Sequence, residues 1–148
     1  MKISFVSLLG PITIFEEGGK IISLLFSYSE YSDSSPLLEK AKDEIEEYFQ
    51  GKRKIFDLSL DAKGTEFQKR VWKEPLDIRY GETLSYGERG DRIGTKAYRA
   101  IGNACGKNPI PILIPCHRVV GKDNIGGFSL GLDLKRKLRS EERRVGKE

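Results

Sequence analysis

Short apolar runs separated by turn-forming residues open the chain. Runs rich in isoleucine and phenylalanine cover residues 3–6, 12–15 and 21–26. The glycine pair at 18–19 suits a hairpin turn, so this pattern predicts a small antiparallel meander. Ser35 and Pro36 then fit the cap and first turn of a helix that Gly51 ends. Apolar residues alternate with polar ones over residues 55–60, which predicts a further strand.

Helix signals dominate the rest of the chain. Capping boxes at residues 65–68 and 85–88 predict two helices, and the second should stop near Gly94. Thr95 is then the expected cap of a third helix over residues 96–107. Two helices joined by so short a turn resemble a helix-turn-helix.

The change of pattern near Lys63 and Gly64 predicts a linker between two domains. Residues 1–62 are expected to form a small α/β domain, an antiparallel sheet plus a helix. Residues 63–148 are expected to form a mostly helical domain with a helix-turn-helix of the winged-helix kind. The predicted fold class is therefore α+β, with residues 143–148 as a charged tail that has no obvious core face.

The charges divide as the domains do. Residues 1–62 carry 7 basic and 11 acidic side chains, whereas residues 63–148 carry 19 and 11. A basic half is typical of a polyanion-binding protein, although a solvated surface accounts for the same balance. One face of the third predicted helix carries Lys96, Arg99, Asn103 and Lys107. Glycines beside this face permit close approach to another backbone, which favours nucleic-acid contact over a solvated face.

Composition excludes several classes of protein. No apolar run approaches the roughly 20 residues that span a bilayer, and the amino-terminal residues read as a strand rather than a signal peptide. We therefore expect no membrane contact and a cytoplasmic location, or a nuclear one in a eukaryote. Two cysteines and one histidine are too few for a four-ligand zinc site, so we expect no metal.

One of the two cysteines lies next to the only histidine. Prolines within residues 108–115 predict an extended apolar segment that ends at Cys116 and His117. A free thiol is only slightly ionised at neutral pH, and an imidazole acting through a water can take its proton. Cys116 is therefore the candidate nucleophile, whereas Cys105 fits a buried packing position.

The sequence Pro-Cys-His-Arg-Val at residues 115–119 resembles the active-site motif of the O6-alkylguanine-DNA alkyltransferases, or methylated-DNA–protein-cysteine methyltransferases. Similar segments follow in family order at residues 67–72, 80–87, 99–102 and 108–120. The resemblance implies a monomer that acts on double-stranded DNA without a cofactor. It would transfer methyl or another alkyl group from O6 of guanine, and from O4 of thymine as a further substrate, irreversibly to Cys116.

The resemblance also implies roles for individual residues. His117 would take the thiol proton through a water, Glu142 would orient His117, and Asn108 would join the recognition helix to the cysteine segment. Arg99 would fill the stack that the flipped guanine leaves, and Tyr86 would help to rotate and bind the base. The remaining contacts to base and DNA would come from Lys96, Asn103, the Val119 carbonyl, Phe128 and Ser129.

Two alternative functions come from other classes of protein. A non-catalytic protein that recognises alkylated DNA and recruits other repair factors would share the DNA-binding face, but it would have no need of Cys116. A thiol hydrolase would need an orienting Asn or Asp and an oxyanion hole, and the sequence points to neither.

Overall fold

The computed structural model describes residues 1–95, 97–120 and 131–146. The chain divides into two compact units, Met1–Lys63 and Gly64–Glu148. The first contains a three-stranded antiparallel sheet and a helix, and the second is mostly helical. The α+β class predicted from the sequence is confirmed.

The first unit is a meander covered by one helix. Its strands are β1 (Lys2–Ser7), β2 (Gly10–Glu17) and β3 (Lys20–Leu25), paired in that order. Gly18 and Gly19 turn the second hairpin with φ of 60° and 78°, a conformation that favours glycine. Helix α1 (Pro36–Phe49) starts where the Ser35 hydroxyl accepts the Leu38 amide, and it packs against β1 and β2.

The strand predicted over residues 55–60 is wrong. Leu60 makes a single parallel bridge to Ile21, whose amide donates to the Ser59 carbonyl oxygen, and residues 55–58 pair with no described strand. Phe56 and Leu58 are half-buried, while Ile55 is 80% exposed. The alternation therefore marks a face that packs on the unit, but a period of two does not by itself supply a strand partner.

The second unit holds four α-helices, two short 3-10 helices (Glu74–Asp77 and Cys116–Arg118) and a pair of very short strands among its described residues. The α-helices are α2 (Glu66–Lys73), α3 (Tyr86–Ile93), α4 (Tyr98–Gly106) and α5 (Leu132–Gly146). Strands β4 (Leu84–Ser85) and β5 (Val119–Val120) pair in parallel. Both predicted capping boxes form, at Thr65 with Gln68 and at Ser85 with Glu88. Helices α2 and α4 pack together, and the indole N–H of Trp72 donates to the Ala104 carbonyl oxygen at 2.7 Å.

Helix α4 begins at Tyr98, later than predicted. The Thr95 hydroxyl accepts the Ala97 amide at 3.1 Å, and Ala97 occupies the cap position without a side-chain hydrogen bond. Because threonine readily bonds to an amide two residues on, it closes a local turn after Gly94 instead of capping the helix.

Residues 108–115 form a tight turn, not the extended segment that the prolines predicted. The Ile114 amide donates to the Ile110 carbonyl at 2.9 Å, and Ile112 has φ of 75°, which a β-branched residue rarely adopts. Asn108 holds the turn at both ends, since Oδ1 accepts from the Ile110 amide and Nδ2 donates to the Ile114 carbonyl, each at 2.9 Å. Prolines exclude a helix, but they are compatible with turns as well as extended chain.

Candidate active site

Cys116 opens a one-turn 3-10 helix, Cys116–Arg118, between the Asn108 turn and β5. The Cys116 side chain is fully buried. In the parallel ladder Leu84 pairs with Val119, which brings the start of α3 to the strand that follows the cysteine. Residues distant in sequence are thereby held around one thiol.

The surroundings of Cys116 keep its thiol protonated. A hydrogen bond with Cys105 of α4 and burial both raise the pKa of Cys116 well above its ordinary value. The positive charge of Lys135 and a hydrogen bond with Asn108 act in the opposite direction. Since the thiolate is the nucleophile, this cysteine needs a base to become reactive.

The imidazole of His117 has the properties of such a base. Its Nε2 lies 2.6 Å from Oε2 of Glu142, and both side chains are buried. Burial lowers the pKa of His117, although the hydrogen bond and charge of Glu142 oppose the shift. The ring is therefore neutral at pH 7, and with Nε2–H donating to the carboxylate, Nδ1 is the nitrogen that can accept a proton.

His117 is not the only donor to the Glu142 carboxylate among the described residues. Arg118 donates from Nε to Oε1 at 2.8 Å and from Nη2 to Oε2 at 2.9 Å, and the Gly81 amide donates to Oε1 at 3.1 Å. Burial alone would raise the pKa of Glu142, but its bonds with His117 and Arg118 hold that pKa well below the ordinary range. Glu142 therefore stays ionised and fixes the orientation of His117.

The residues expected to face DNA lie mainly on α3 and α4. Arg99 and Asn103 are exposed on one side of α4, away from its buried face. Tyr86 is half-buried and packs on α4 at Gly102, where an added Cβ would lie 3.5 Å from Tyr86 Cζ. Val119 is buried, and its carbonyl oxygen accepts from Lys135 Nζ at 2.5 Å.

The structure thus brings Cys116, His117, Glu142 and Asn108 together. It does not assign them roles, which stay predictions from the resemblance. Lys96, Phe128 and Ser129 lie outside the described residues, and so do their expected contacts.

Sequence reasoning missed Arg118, Lys135 and the Gly81 amide. The buried face of α5 consists of Lys135, Leu138, Glu142 and Val145. These four recur at helical spacing, so a search for helical faces that included charged residues would have placed Lys135 beside Glu142. Because Val145 is buried, the expectation that residues 143–148 form a tail without a core face is wrong. No sequence signal marks a backbone donor such as Gly81.

Two negative observations apply to the described part of the chain. No group of three or more His, Cys, Asp or Glu residues there is arranged to hold a metal ion. Nor does that part contain a helix with the length and apolarity needed to cross a bilayer.

A cysteine whose neighbouring imidazole is oriented by a carboxylate is the usual arrangement of a thiol nucleophile and its base. Here it lies in a helical unit that also presents an exposed basic residue on the second of two closely joined helices. Fold and site together define a thiol-nucleophile protein of the helix-turn-helix kind.

Comparison with known families covers nearly the whole chain. Residues 66–144 match the family described as 6-O-methylguanine DNA methyltransferase, DNA binding domain. Residues 3–62 match the ribonuclease-like domain of the same methyltransferases. The chain belongs to the 6-O-methylguanine DNA methyltransferase family, which confirms the resemblance seen in the sequence.

Individual relatives support the same family assignment. A probable methylated-DNA–protein-cysteine methyltransferase of Acanthamoeba polyphaga mimivirus is 47% identical over 120 residues, 78% of this chain and 77% of the relative. The Mycobacterium tuberculosis methylated-DNA–protein-cysteine methyltransferase is 42% identical over 139 residues, 88% of this chain and 84% of the relative. The crystal structure of Mycobacterium tuberculosis OGT in complex with DNA superposes with a TM-score of 0.88 at 39% identity, covering 97% of this chain and 93% of the other.

Proposed function

We propose that this chain repairs DNA by transferring a methyl group from O6 of guanine to the sulfur of Cys116. The observation that carries the proposal is the buried Cys116–His117–Glu142 arrangement in a member of this family. A water passes the thiol proton to Nδ1 of His117, and the thiolate attacks the methyl carbon. The carbon–O6 bond breaks with its electron pair on the guanine, and the proton that His117 took returns through water to the guanine anion. Because the product thioether is stable, each molecule reacts once.

The substrate is double-stranded DNA in this proposal. A guanine inside a duplex cannot reach a buried thiol, so the nucleotide must rotate out of the stack at a cost of a few kcal/mol. The exposed face of α4, which includes Arg99, supports contact with DNA, and in this proposal Arg99 enters the vacated stack. Asn108 follows this helix and bonds the turn that leads to Cys116, which couples DNA contact to the nucleophile. In this proposal the protein acts as a monomer, and it needs no cofactor because the thiol and the alkyl group supply the bonds that form and break.

A mass measurement tests the proposed function. The protein is incubated with a duplex containing one O6-methylguanine, digested, and the peptide that contains Cys116 is weighed. We expect a gain of one methyl group, with no more than one per protein. A folded protein that binds this duplex but leaves the peptide unmodified would instead be the non-catalytic reader of alkylated DNA.

Replacing Arg99 with alanine should slow repair of duplex DNA and spare the reaction with free O6-benzylguanine. The Arg99 side chain is exposed on α4 whereas Cys116 is fully buried, so we expect Arg99 to matter only when a nucleobase must leave the stack. The expected loss on duplex is about tenfold or more, equivalent to about 1.4 kcal/mol of the barrier. Lys137→Ala, which removes an exposed cation from α5, is the matched control and should leave both rates unchanged. Equal losses on the two substrates in Arg99→Ala would contradict this role.

A further inference from the structure

Arg118 uses all three of its guanidinium nitrogens in hydrogen bonds within the site, and the proposed transfer does not require it to touch the substrate. Its guanidinium is buried and holds both oxygens of Glu142. The remaining nitrogen, Nη1, donates to the Ile78 carbonyl oxygen at 2.8 Å. The ring of Tyr80 lies against the cation, with its centroid 5.6 Å from Cζ.

We propose that Arg118 is a positioning residue: it shares the Glu142 carboxylate with His117, so that this carboxylate orients the imidazole without converting it into an imidazolium. For its meaning in catalysis the inference rests on the proposed function. The charge state of His117 is nevertheless measurable without DNA, so the two can fail separately.

The electrostatic reason is the total charge beside His117. A lone carboxylate bonded to a histidine stabilises the imidazolium, and an imidazolium cannot take a proton from a thiol. A bidentate guanidinium cancels the carboxylate charge and still leaves Oε2 able to accept from Nε2. Burial then keeps the ring neutral, and the charge of Arg118 adds to that effect.

Other charged and titratable groups surround this cluster. From α5, Glu142 favours the imidazolium and Lys135 disfavours it, as does Arg118 from the 3-10 helix. Tyr80 interacts with Glu142 and Arg118. Several causes, of which burial is the largest, raise the pKa of Tyr80 to about 12, so its phenol is neutral. The two thiols, Cys105 and Cys116, act on each other and on Lys135. Arg118 is therefore the cation in direct contact with the carboxylate that His117 uses.

The same guanidinium ties the base to the segment that precedes β4. Ile78 accepts from Arg118, and Gly81 donates to Glu142, so both ends of residues 78–81 are bonded to this ion pair. That segment leads through β4 into α3, which starts with Tyr86. Arg118 thereby positions the His117 imidazole, and with it the segment that leads to α3, the helix expected to bind the flipped guanine.

The chain has a single histidine, so its imidazole NMR signals report the His117 pKa without ambiguity. In the wild type we expect the ring to remain neutral at pH values below about 6.5, where an ordinary histidine protonates. Arg118→Met should raise the pKa of His117 by about one pH unit or more, because the imidazolium becomes the counterion of Glu142. Arg136→Met removes an arginine that pairs with Asp133 on the exposed side of α5, and should leave the His117 pKa unchanged.

A second readout follows the nucleophile. The rate at which iodoacetamide alkylates Cys116 should keep its wild-type pH dependence in Arg136→Met and shift to higher pH in Arg118→Met, as the base becomes protonated. If Arg118→Met does not fold, Arg118→Lys decides: a point charge cannot span both oxygens, so an intermediate rise of the His117 pKa is expected. A wild-type His117 that is charged at pH 7, or an unchanged His117 pKa in the folded Arg118 variant, overturns the proposal whether or not the protein repairs DNA.

Discussion

Cys116→Ser is expected to reduce methyl transfer from an O6-methylguanine duplex to below detection while DNA binding is retained. A serine hydroxyl is a far weaker nucleophile than a thiol and is scarcely ionised even beside a base. Binding should survive because Cys116 is fully buried, whereas Arg99 and Asn103, which are expected to contact DNA, are exposed on α4. Transfer is measured by peptide mass, and binding by fluorescence anisotropy with the same duplex.

The chain provides a matched control in its other cysteine. Cys105 is also fully buried and is hydrogen-bonded to Cys116, so Cys105→Ser perturbs the same interior by the same change of atom. It should still acquire one methyl group, located on Cys116. A methyl group on Cys105 in the Cys116→Ser protein would show that either thiol can serve, contrary to the proposal.

Local features of the fold were predictable because their causes are local. The Gly18–Gly19 hairpin, the Ser35 cap and both capping boxes each depend on a few adjacent residues. The segments over 55–60 and 108–115 were misjudged for the opposite reason. Alternation and proline restrict the conformation of a segment, but the partner of Leu60 and the bonds of Asn108 depend on tertiary contacts.

The residues of the site also divide into those that the sequence identifies and those that only tertiary contacts reveal. Cys116 and His117 stand out because they are adjacent and chemically unusual, and the wider family resemblance then supplies Glu142. Arg118 belongs to the Pro-Cys-His-Arg-Val motif, yet nothing in the sequence says that it binds the carboxylate of Glu142, 24 residues away. Lys135 reads as one more surface cation until the helix places it on the buried face. The helical spacing that Lys135 shares with Leu138, Glu142 and Val145 is the one sequence signal of its burial, and a search for apolar residues alone passes over it.

Glu142→Gln should lower both the repair rate and the stability of the protein. Glutamine cannot hold the imidazole and guanidinium as an anion does, so the transfer rate should fall by about 10²-fold, the lower end of what a positioned base contributes. Arg118 would remain as a buried charge without its carboxylate, and breaking such a pair costs about 3–5 kcal/mol. The neighbouring variant Glu141→Gln is the control, since its carboxylate pairs with Arg144 at the surface and should cost at most about 1 kcal/mol.

The pH dependence of stability distinguishes loss of this ion pair from a general packing defect. The pKa of Glu142 is lower in the folded protein than the unfolded value of about 4.3, and that of His117 is lower than about 6.5. In both cases the unfolded chain binds more protons, so stability rises with pH. The wild type should lose stability first as pH falls below about 6.5, through His117, and again below about 4.3, through Glu142. Glu142→Gln should lack the second loss, and Glu141→Gln should keep both. Unfolding free energies measured from pH 3 to 8 test this prediction. If Glu142→Gln is less stable than the wild type by the same amount at every pH, Glu142 stabilises the protein through packing and not through its charge.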